Sequence, residues 1–301
     1  MADRRLQVFH AVAKHLSFTK AAEALFMTQP AVTFQIKQLE EHYNTRLFDR
    51  GHGRISLTPA GVVVQEYAER ILGLSAELET RLKEMTGEVA GPLLVGASTT
   101  IAEFLLPRVL GEFKSSYPKV VPRLFVANSE AVQDRVVEHT LDIGFIEAAT
   151  HHPSVVTDVC CEDELHVVCA PSHPLAKLKT VAPKVLAQYP FISREPGSGT
   201  REVIDQYFLK AGIRPDSMQV VMELGSPEAL KGLAATGLGF TIMSRAAVTK
   251  ETGHGELVRL PLSPRLIRNF SVVYPKERFR SRLVNTFVKF AKDRIAAAQA
   301  E

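Results

Sequence analysis

Two groups of side chains in this 301-residue chain have the types and spacing for recognition chemistry. The first is Thr28-Gln29-Pro30-Ala31-Val32-Thr33, followed by Gln35 and Lys37. Amide and hydroxyl groups that both donate and accept suit Gln29, Thr33 and Gln35 to the edges of bases, while Lys37, Arg46, Arg50 and Arg54 suit phosphates. Arg50-Gly51-His52-Gly53-Arg54 would put two guanidiniums at a hairpin tip, where they could lie along a nucleic-acid backbone or dip into a minor groove, although charged tips are also common without such a role. The second group is four polar stretches, Ser98-Thr99-Thr100, Asn128-Ser129, the run from Arg194-Glu195 through Gly197-Ser198 to Thr200-Arg201, and Gly225-Ser226. Each falls where a strand-like run ends and a helix-like run begins, a place where free N–H groups and the helix dipole receive anions. Any one of them is as well explained as a helix cap; their recurrence points to an anion site. Arg201 adds to this, because a cation in the first turn of a helix opposes the dipole and a bound anion would explain it, and Arg194 offers a second guanidinium to a small oxyanion.

Enzyme-like patterns are weaker. Ser17-Phe18-Thr19-Lys20 fits S-x-x-K, but the S-D-N and K-T-G partners are missing and the segment reads as a helix start. Gly197-Ser198-Gly199-Thr200 lacks the lysine of a phosphate-binding loop, and Gly237-Leu238-Gly239 lacks the third glycine of a dinucleotide fingerprint. His151-His152 with Glu162, Asp163 and Glu164 reads more simply as a loop and a solvated strand start than as a metal cluster. We therefore expect no enzyme, no metal and no cofactor. Cys160, Cys161 and Cys169 have no C-x-x-C spacing and suggest buried reduced thiols, with a redox role for the adjacent pair as the alternative.

The elements that must position these groups follow from periodicity. Leu6, Phe9, Val12, Ala13 and Leu16 mark a first helix, Ser17 caps a second helix over 18–26, and Thr28 caps a third from about Gln29 to Tyr43 with Val32, Ile36, Leu39 and Tyr43 on one face. The glycines between short apolar pairs over 47–58 predict a two-stranded hairpin, a wing. Residues 1–58 carry eight Lys and Arg against five acids. From Pro59 to residue 86 the spacing of Val64, Tyr67, Ile71, Leu74, Leu78, Leu82 and Met85 is a coiled-coil seam, which predicts a dimer through this helix, with packing on its own domain as the alternative. Beyond Gly91-Pro92, strand-like and helical runs alternate in two series, implying parallel α/β sheets in two similar halves with a ligand between them.

With 46% hydrophobic and 23% charged residues the chain is neither fibrous nor disordered, and its length suits two or three domains. No apolar run is long enough to span a bilayer and the first residues lead into a patterned helix rather than a signal sequence, so the expectation is a cytoplasmic protein without a membrane partner. The expected boundaries are 1–58, 59–88 and 91–301, the last divided into about 91–160 with 266–301 and about 161–265.

Ser17-Phe18-Thr19-Lys20-Ala21-Ala22, Leu25, Thr28 to Thr33, Gln35-Ile36, Leu39-Glu40, Leu47-Phe48-Asp49-Arg50 and Leu57-Thr58-Pro59-Ala60-Gly61 together resemble the amino-terminal signature of LysR-type transcriptional regulators. The resemblance extends over the whole chain: a winged helix-turn-helix, a long linker helix and two Rossmann-like α/β subdomains similar to periplasmic binding proteins. It implies double-stranded DNA as partner, met through Gln29, Pro30, Thr33, Gln35, Arg50 and Arg54, with Thr28 and Thr33 where serine is commoner. It implies an effector cleft at Ser98, Thr100, Asn128, Thr200 and Ser226, lined by Gly144 and Phe145 from the strand ending in Glu147. It further implies a homo-oligomer, commonly a tetramer, and RNA polymerase as a further partner. Within the family, the runs 195–201 and 225–229 are similar to members controlling sulfur assimilation, anaerobic anion metabolism or carbon fixation. The stretch 142–147 resembles the sulfur group, although Pro227 replaces the more usual asparagine. Sulfite or sulfate is the first expectation for the effector, and a phosphorylated metabolite or nucleotide is the alternative; an anion-processing enzyme is the remote one.

Overall fold

The computed structural model describes residues 3–49, 55–84, 89–147, 152–276 and 280–300. The chain divides into two compact units, 1–88 and 89–301. In the first, helices α1 (Arg4–His15), α2 (Phe18–Ala24) and α3 (Gln29–Tyr43) precede strands β1 (Phe48–Asp49) and β2 (Ser56–Leu57) and the long helix α4 (Pro59–Glu84). Ser17 caps α2 by accepting from the Lys20 amide, and α2 stops at Ala24, two residues short of the sequence expectation, because Phe26 takes a left-handed φ of 53°. Val32, Ile36 and Leu39 of α3 enter the core, where the Phe48 ring meets Phe9 and Phe18 at centroid distances of 5.2 and 5.8 Å. The Glu40 carboxylate accepts from the amides of Leu47 and Phe48, which fixes the hairpin to α3. Gly61 has no alternative, since the Leu47 carbonyl lies where a Cβ would stand.

The second unit runs β3 (Gly91–Ser98), α5 (Thr99–Phe104), α6 (Leu106–Ser116), β4 (Val120–Ala127), α7 (Ser129–Val137), β5 (Ile143–Ile146) and β6 (Val155–Cys169). It continues with α8 (Pro183–Leu186), β7 (Phe191–Arg194), α9 (Gly199–Lys210), β8 (Val220–Leu224), α10 (Pro227–Ala235), β9 (Thr241–Ser244), α11 (Thr249–Gly253), β10 (Val258–Pro275) and α12 (Arg282–Ala300). The expected parallel sheets are corrected to a mixed one. Six strands lie in the order β4-β3-β5-β10-β6-β9; β3 is parallel to β4 and β5, but β10 is antiparallel to both β5 and β6. β7 and β8 form a separate parallel pair.

The cause is the length of β6 and β10. Their pairing runs from Val258↔Cys169 to Pro275↔Val155, with irregularities between Pro261 and Leu266 and between Phe270 and Ser271. Pro261 and Pro264 read as strand breakers in sequence, yet here they fall at the irregularity, where a ladder donor is not required. Each end of this ribbon enters a different core. Phe145, Phe270, Phe113 and Phe287 pack in one lobe, whose last helix is α12; Leu165, Leu266, Phe191, Phe208 and Phe240 pack in the other. The midpoint residues Asp163 and Arg268 are thereby left between two apolar cores.

Candidate functional site

On α3 the buried stripe and the helical period place every neighbouring side chain. Pro30, Phe34, Lys37 and Glu41 stand exposed on the side away from Val32, Ile36 and Leu39, with Gln29 and half-buried Thr33 at its edge. Thr28 holds the N-cap position without a side-chain bond; Gln29 Nε2 donates instead to Thr33 Oγ1 at 3.0 Å, setting two base-edge readers side by side. Gln35 is half-buried on the flank of the stripe, off the exposed face on which it was expected. Phe34 was not singled out in the sequence, but it is 56% exposed beside Thr33, and helical spacing alone would have found it. Lys37 lies 3.6 Å from Glu41, an exposed pair of under about 1 kcal/mol that a phosphate displaces readily. Arg50 and Arg54, with the rest of the hairpin tip, lie outside the described residues. On α4, Tyr67, Ile71, Leu74, Leu78 and Leu82 are all exposed, and Met85 is outside the described residues.

In the second unit the polar stretches converge between the lobes. Arg194 ends β7 and is 3% exposed; its Nε and Nη2 donate to Glu195 Oε2 and Oε1 at 2.8 and 3.0 Å, and Nη2 also donates to Thr99 Oγ1 of the other lobe at 2.9 Å. Asn128 caps α7 by accepting from the Ala131 amide and donates across to the Pro196 carbonyl. Gly197, at a φ of 80°, brings its backbone against the Asn128 amide, where a Cβ has no room. Thr200 Oγ1 donates to Glu147 Oε2 at 3.0 Å and accepts from Arg268 Nη1 at 2.7 Å. Arg268 Nε donates to Asp163 Oδ2 at 2.8 Å, and Ser244 donates to the other oxygen of that carboxylate. Burial by itself raises the Glu147 pKa, but the Arg268 charge, the Thr100 and Thr200 hydroxyls and the Arg194 charge outweigh it and hold the carboxyl below its ordinary range.

Several buried polar atoms in this region have no partner: Ser98 Oγ, Ser129 Oγ, Glu147 Oε1 and Arg268 Nη2. A buried unsatisfied group costs about 1–3 kcal/mol, so Ser98 and Ser129 on one side, and Glu147 and Arg268 on the other, mark places that a ligand or water completes. Ser98 holds the cap position of α5 with no cap bond, so capping does not account for it, whereas Ser198 and Ser226 do cap α9 and α10.

Two expected cleft residues stand elsewhere. Phe145 is fully buried with its ring 6.1 Å from Phe287, so it belongs to the first core, and it is Glu147, just beyond β5, that faces the cleft. Arg201 was expected to wait for an anion; Glu223 at 2.6 Å and Asp205 at 3.7 Å already answer its charge, which removes the dipole argument. Glu147 and Arg268 were not recognised in the sequence as site residues. The thiols give no support to redox chemistry: burial pushes Cys160 up to about 11 and Cys161 to about 12, away from the thiolate form. Among the described residues no group of His, Cys, Asp or Glu is arranged to hold a metal ion, and no helix is long and apolar enough to cross a membrane.

A DNA-reading helix in one unit and a two-lobed ligand cleft in the other define a ligand-responsive DNA-binding protein. Residues 4–62 match the bacterial regulatory helix-turn-helix domain of the lysR family and residues 86–296 match the LysR substrate binding domain, so the chain belongs to the LysR family of transcriptional regulators. It is 33% identical over 287 residues to the RuBisCO operon transcriptional regulator of Acidithiobacillus ferrooxidans, covering 95% of this chain and 92% of that one. It is 33% identical over 267 residues to the HTH-type transcriptional regulator CysL of Bacillus subtilis, covering 89% and 87%. The CcmR regulatory domain of Synechocystis PCC6803, solved in complex with 2-PG, superposes with a TM-score of 0.62 at 28% identity, over 67% of this chain and 96% of that one. The family and these relatives are transcriptional regulators rather than enzymes.

Proposed function

We propose that this regulator senses a tetrahedral oxyanion at Arg194, and that the ion closes the lobes and alters operator binding. The observation that carries this is the guanidinium of Arg194: it is almost fully buried between the lobes, bonded to Thr99, and neutralised only by Glu195, its own sequence neighbour. An incoming oxyanion can take over the Glu195 position, with Ser98 and Ser129 supplying hydroxyls that have no present partner. Sulfite or sulfate fits this head group, as the stretch 142–147 suggested. The phosphoryl head of a phosphorylated metabolite fits it equally, and the likeness to a domain solved with 2-PG favours that second reading.

On the DNA side, Gln29, Pro30, Thr33 and Phe34 meet base edges while Lys37, Arg50 and Arg54 meet phosphates. The exposed α4 seam joins two copies, which pair again into a tetramer, in a cytoplasmic protein that answers to RNA polymerase; residues 1–58, 59–88 and 91–301 serve as DNA-binding, dimerising and effector segments. The test is calorimetric titration of the full chain with sulfite, sulfate, thiosulfate, phosphate and 2-phosphoglycolate, in parallel with Arg194→Ala. Saturable binding of one of them, lost in the variant, is expected; no binding by any of them would sink the oxyanion reading.

A further inference from the structure

One recess of the second unit, about 910 Å³, is not bordered by Arg194. It is lined by residues 264–269 of β10, by α8 and α9, and by Glu147, Thr157 and Val159. Along this stretch β10 has β6 on one edge, but β5 reaches the other edge only from Ser271 to Val273. None of Ser98, Thr99, Asn128, Arg194 or Ser226 borders it.

Its walls are apolar. Val159 and Ile267, 49% and 42% exposed, both line it, together with Pro183, Val203 and the Tyr207 ring, whose hydroxyl is turned to the Pro264 carbonyl. Polar side chains, Glu202, Gln206 and Asn269 among them, are interspersed, and two of the buried ones are unfinished. Arg268, nearly fully buried, leaves Nη2 without a partner, and buried Glu147 leaves Oε1 without a donor. At the rim stand Lys184 and Lys210, both exposed and, among the described residues, neither paired with an acid. Ligand sites commonly occupy about 300–1,000 Å³ and combine apolar walls with a few convergent polar groups. An inorganic oxyanion would leave these walls untouched.

We infer that this recess is a second ligand site, distinct from the oxyanion site proposed above, and that it takes an organic hydroxy acid with an apolar body. The carboxylate meets Arg268 Nη2 under the field of Lys184 and Lys210, the neighbouring hydroxyl donates to Glu147 Oε1, and the body lies on Val159, Val203 and Ile267. Glu147, of one lobe, accepts from Thr200 of the other, so a ligand bonded to it registers how the lobes stand.

The test uses the full chain and 3-hydroxy-2-naphthoate as probe, followed by calorimetry and by the probe's own fluorescence. Saturable binding is expected, with 2-naphthol, which lacks the carboxylate, binding much more weakly. Val203→Trp, which fills the recess, should abolish binding. The surface double variant Lys184→Glu/Lys210→Glu, which touches no core residue, should weaken it by about tenfold. Arg194→Ala, which removes the oxyanion site, should still show saturable binding of the probe, so this site and the oxyanion site fail or stand separately. Absence of saturable binding to the wild-type chain, or binding untouched by both the filling and the charge-reversal variants, would overturn the proposal.

Discussion

Glu195 grips Arg194 with both carboxylate oxygens, at 2.8 and 3.0 Å, while the same guanidinium reaches Thr99 on the opposite lobe. If the effector is the oxyanion proposed above, a carboxylate one residue away holds the position that it needs. Ligand entry is then an exchange of anions on one cation, and the resident one lowers the apparent affinity of the newcomer.

Replacing that competitor makes the first prediction. In Glu195→Gln the fold is kept, the buried guanidinium loses its countercharge, and the affinity for the cleft oxyanion rises by about tenfold, since a charge-assisted hydrogen bond is replaced by a neutral one. Calorimetry with sulfate or 2-phosphoglycolate reads this directly, and an unchanged or weaker affinity would mean that Glu195 does not compete.

Glu147 predicts a pH dependence. Its folded pKa lies below its ordinary value, so its contribution to stability is present above that value and is lost as pH falls through the folded pKa. Glu147→Gln breaks a buried pair with Arg268, at a cost of about 3 kcal/mol at neutral pH. The difference in Tm between variant and wild type should shrink steadily below about pH 4.5, where Glu147 in the unfolded chain begins to take up protons while the folded carboxyl stays charged. A gap that stayed constant down to pH 3 would contradict the assignment.

The α4 seam predicts assembly through apolar contact. Leu74 is 65% exposed and Leu78 53%, so Leu74→Glu removes nothing from the chain's own core, and its melting should lose the concentration dependence that the wild-type dimer shows. Sedimentation should show loss of the dimer, with much weaker operator binding because the two reading helices no longer act together.

Phe34 predicts a readout without hydrogen bonds. Apolar contact with the thymine methyl is a recognised base-edge interaction, worth about 0.8 kcal/mol for one methyl. On a duplex selected from random sequence by the full chain, one thymine-to-uracil replacement should weaken wild-type binding, and Phe34→Ala should abolish that sensitivity at the same position. Equal sensitivity in both proteins would place Phe34 away from the bases.

The amino-terminal unit was legible because each of its signals is local: Ser17 as a cap, the period of Val32, Ile36 and Leu39, and the glycines of the hairpin all act within a few positions. The cleft was legible in part, since the polar strand ends announce themselves, and Thr99, Asn128, Arg194 and Thr200 do meet there. Arg268 was hidden because Pro261 and Pro264 interrupt its strand, and its partners Asp163 and Glu147 are remote in sequence. The argument about Arg201 had a sound premise and the wrong counterion: Asp205, four residues on, could have been read from the helix, but Glu223 on a neighbouring strand could not. Phe145 misled for another reason. Glu147 is two positions on, where strand alternation alone would give it the same face, but it stands just beyond the end of β5, where that alternation no longer sets direction.

Helix α12 places Leu283, Val284, Phe287, Val288, Ala291 and Ile295 in the core that also holds Leu93 and Val95 of β3. During synthesis, therefore, every residue of the second lobe's core, Leu266 being the last, has been made before the first lobe can close. A chain released just before Arg282 has a finished lobe and an unfinished one, and the unfinished lobe is the one whose first residues emerged earlier. Premature stop codons within 282–300 should accordingly produce a half-folded effector unit that quality-control proteases recognise at its older end.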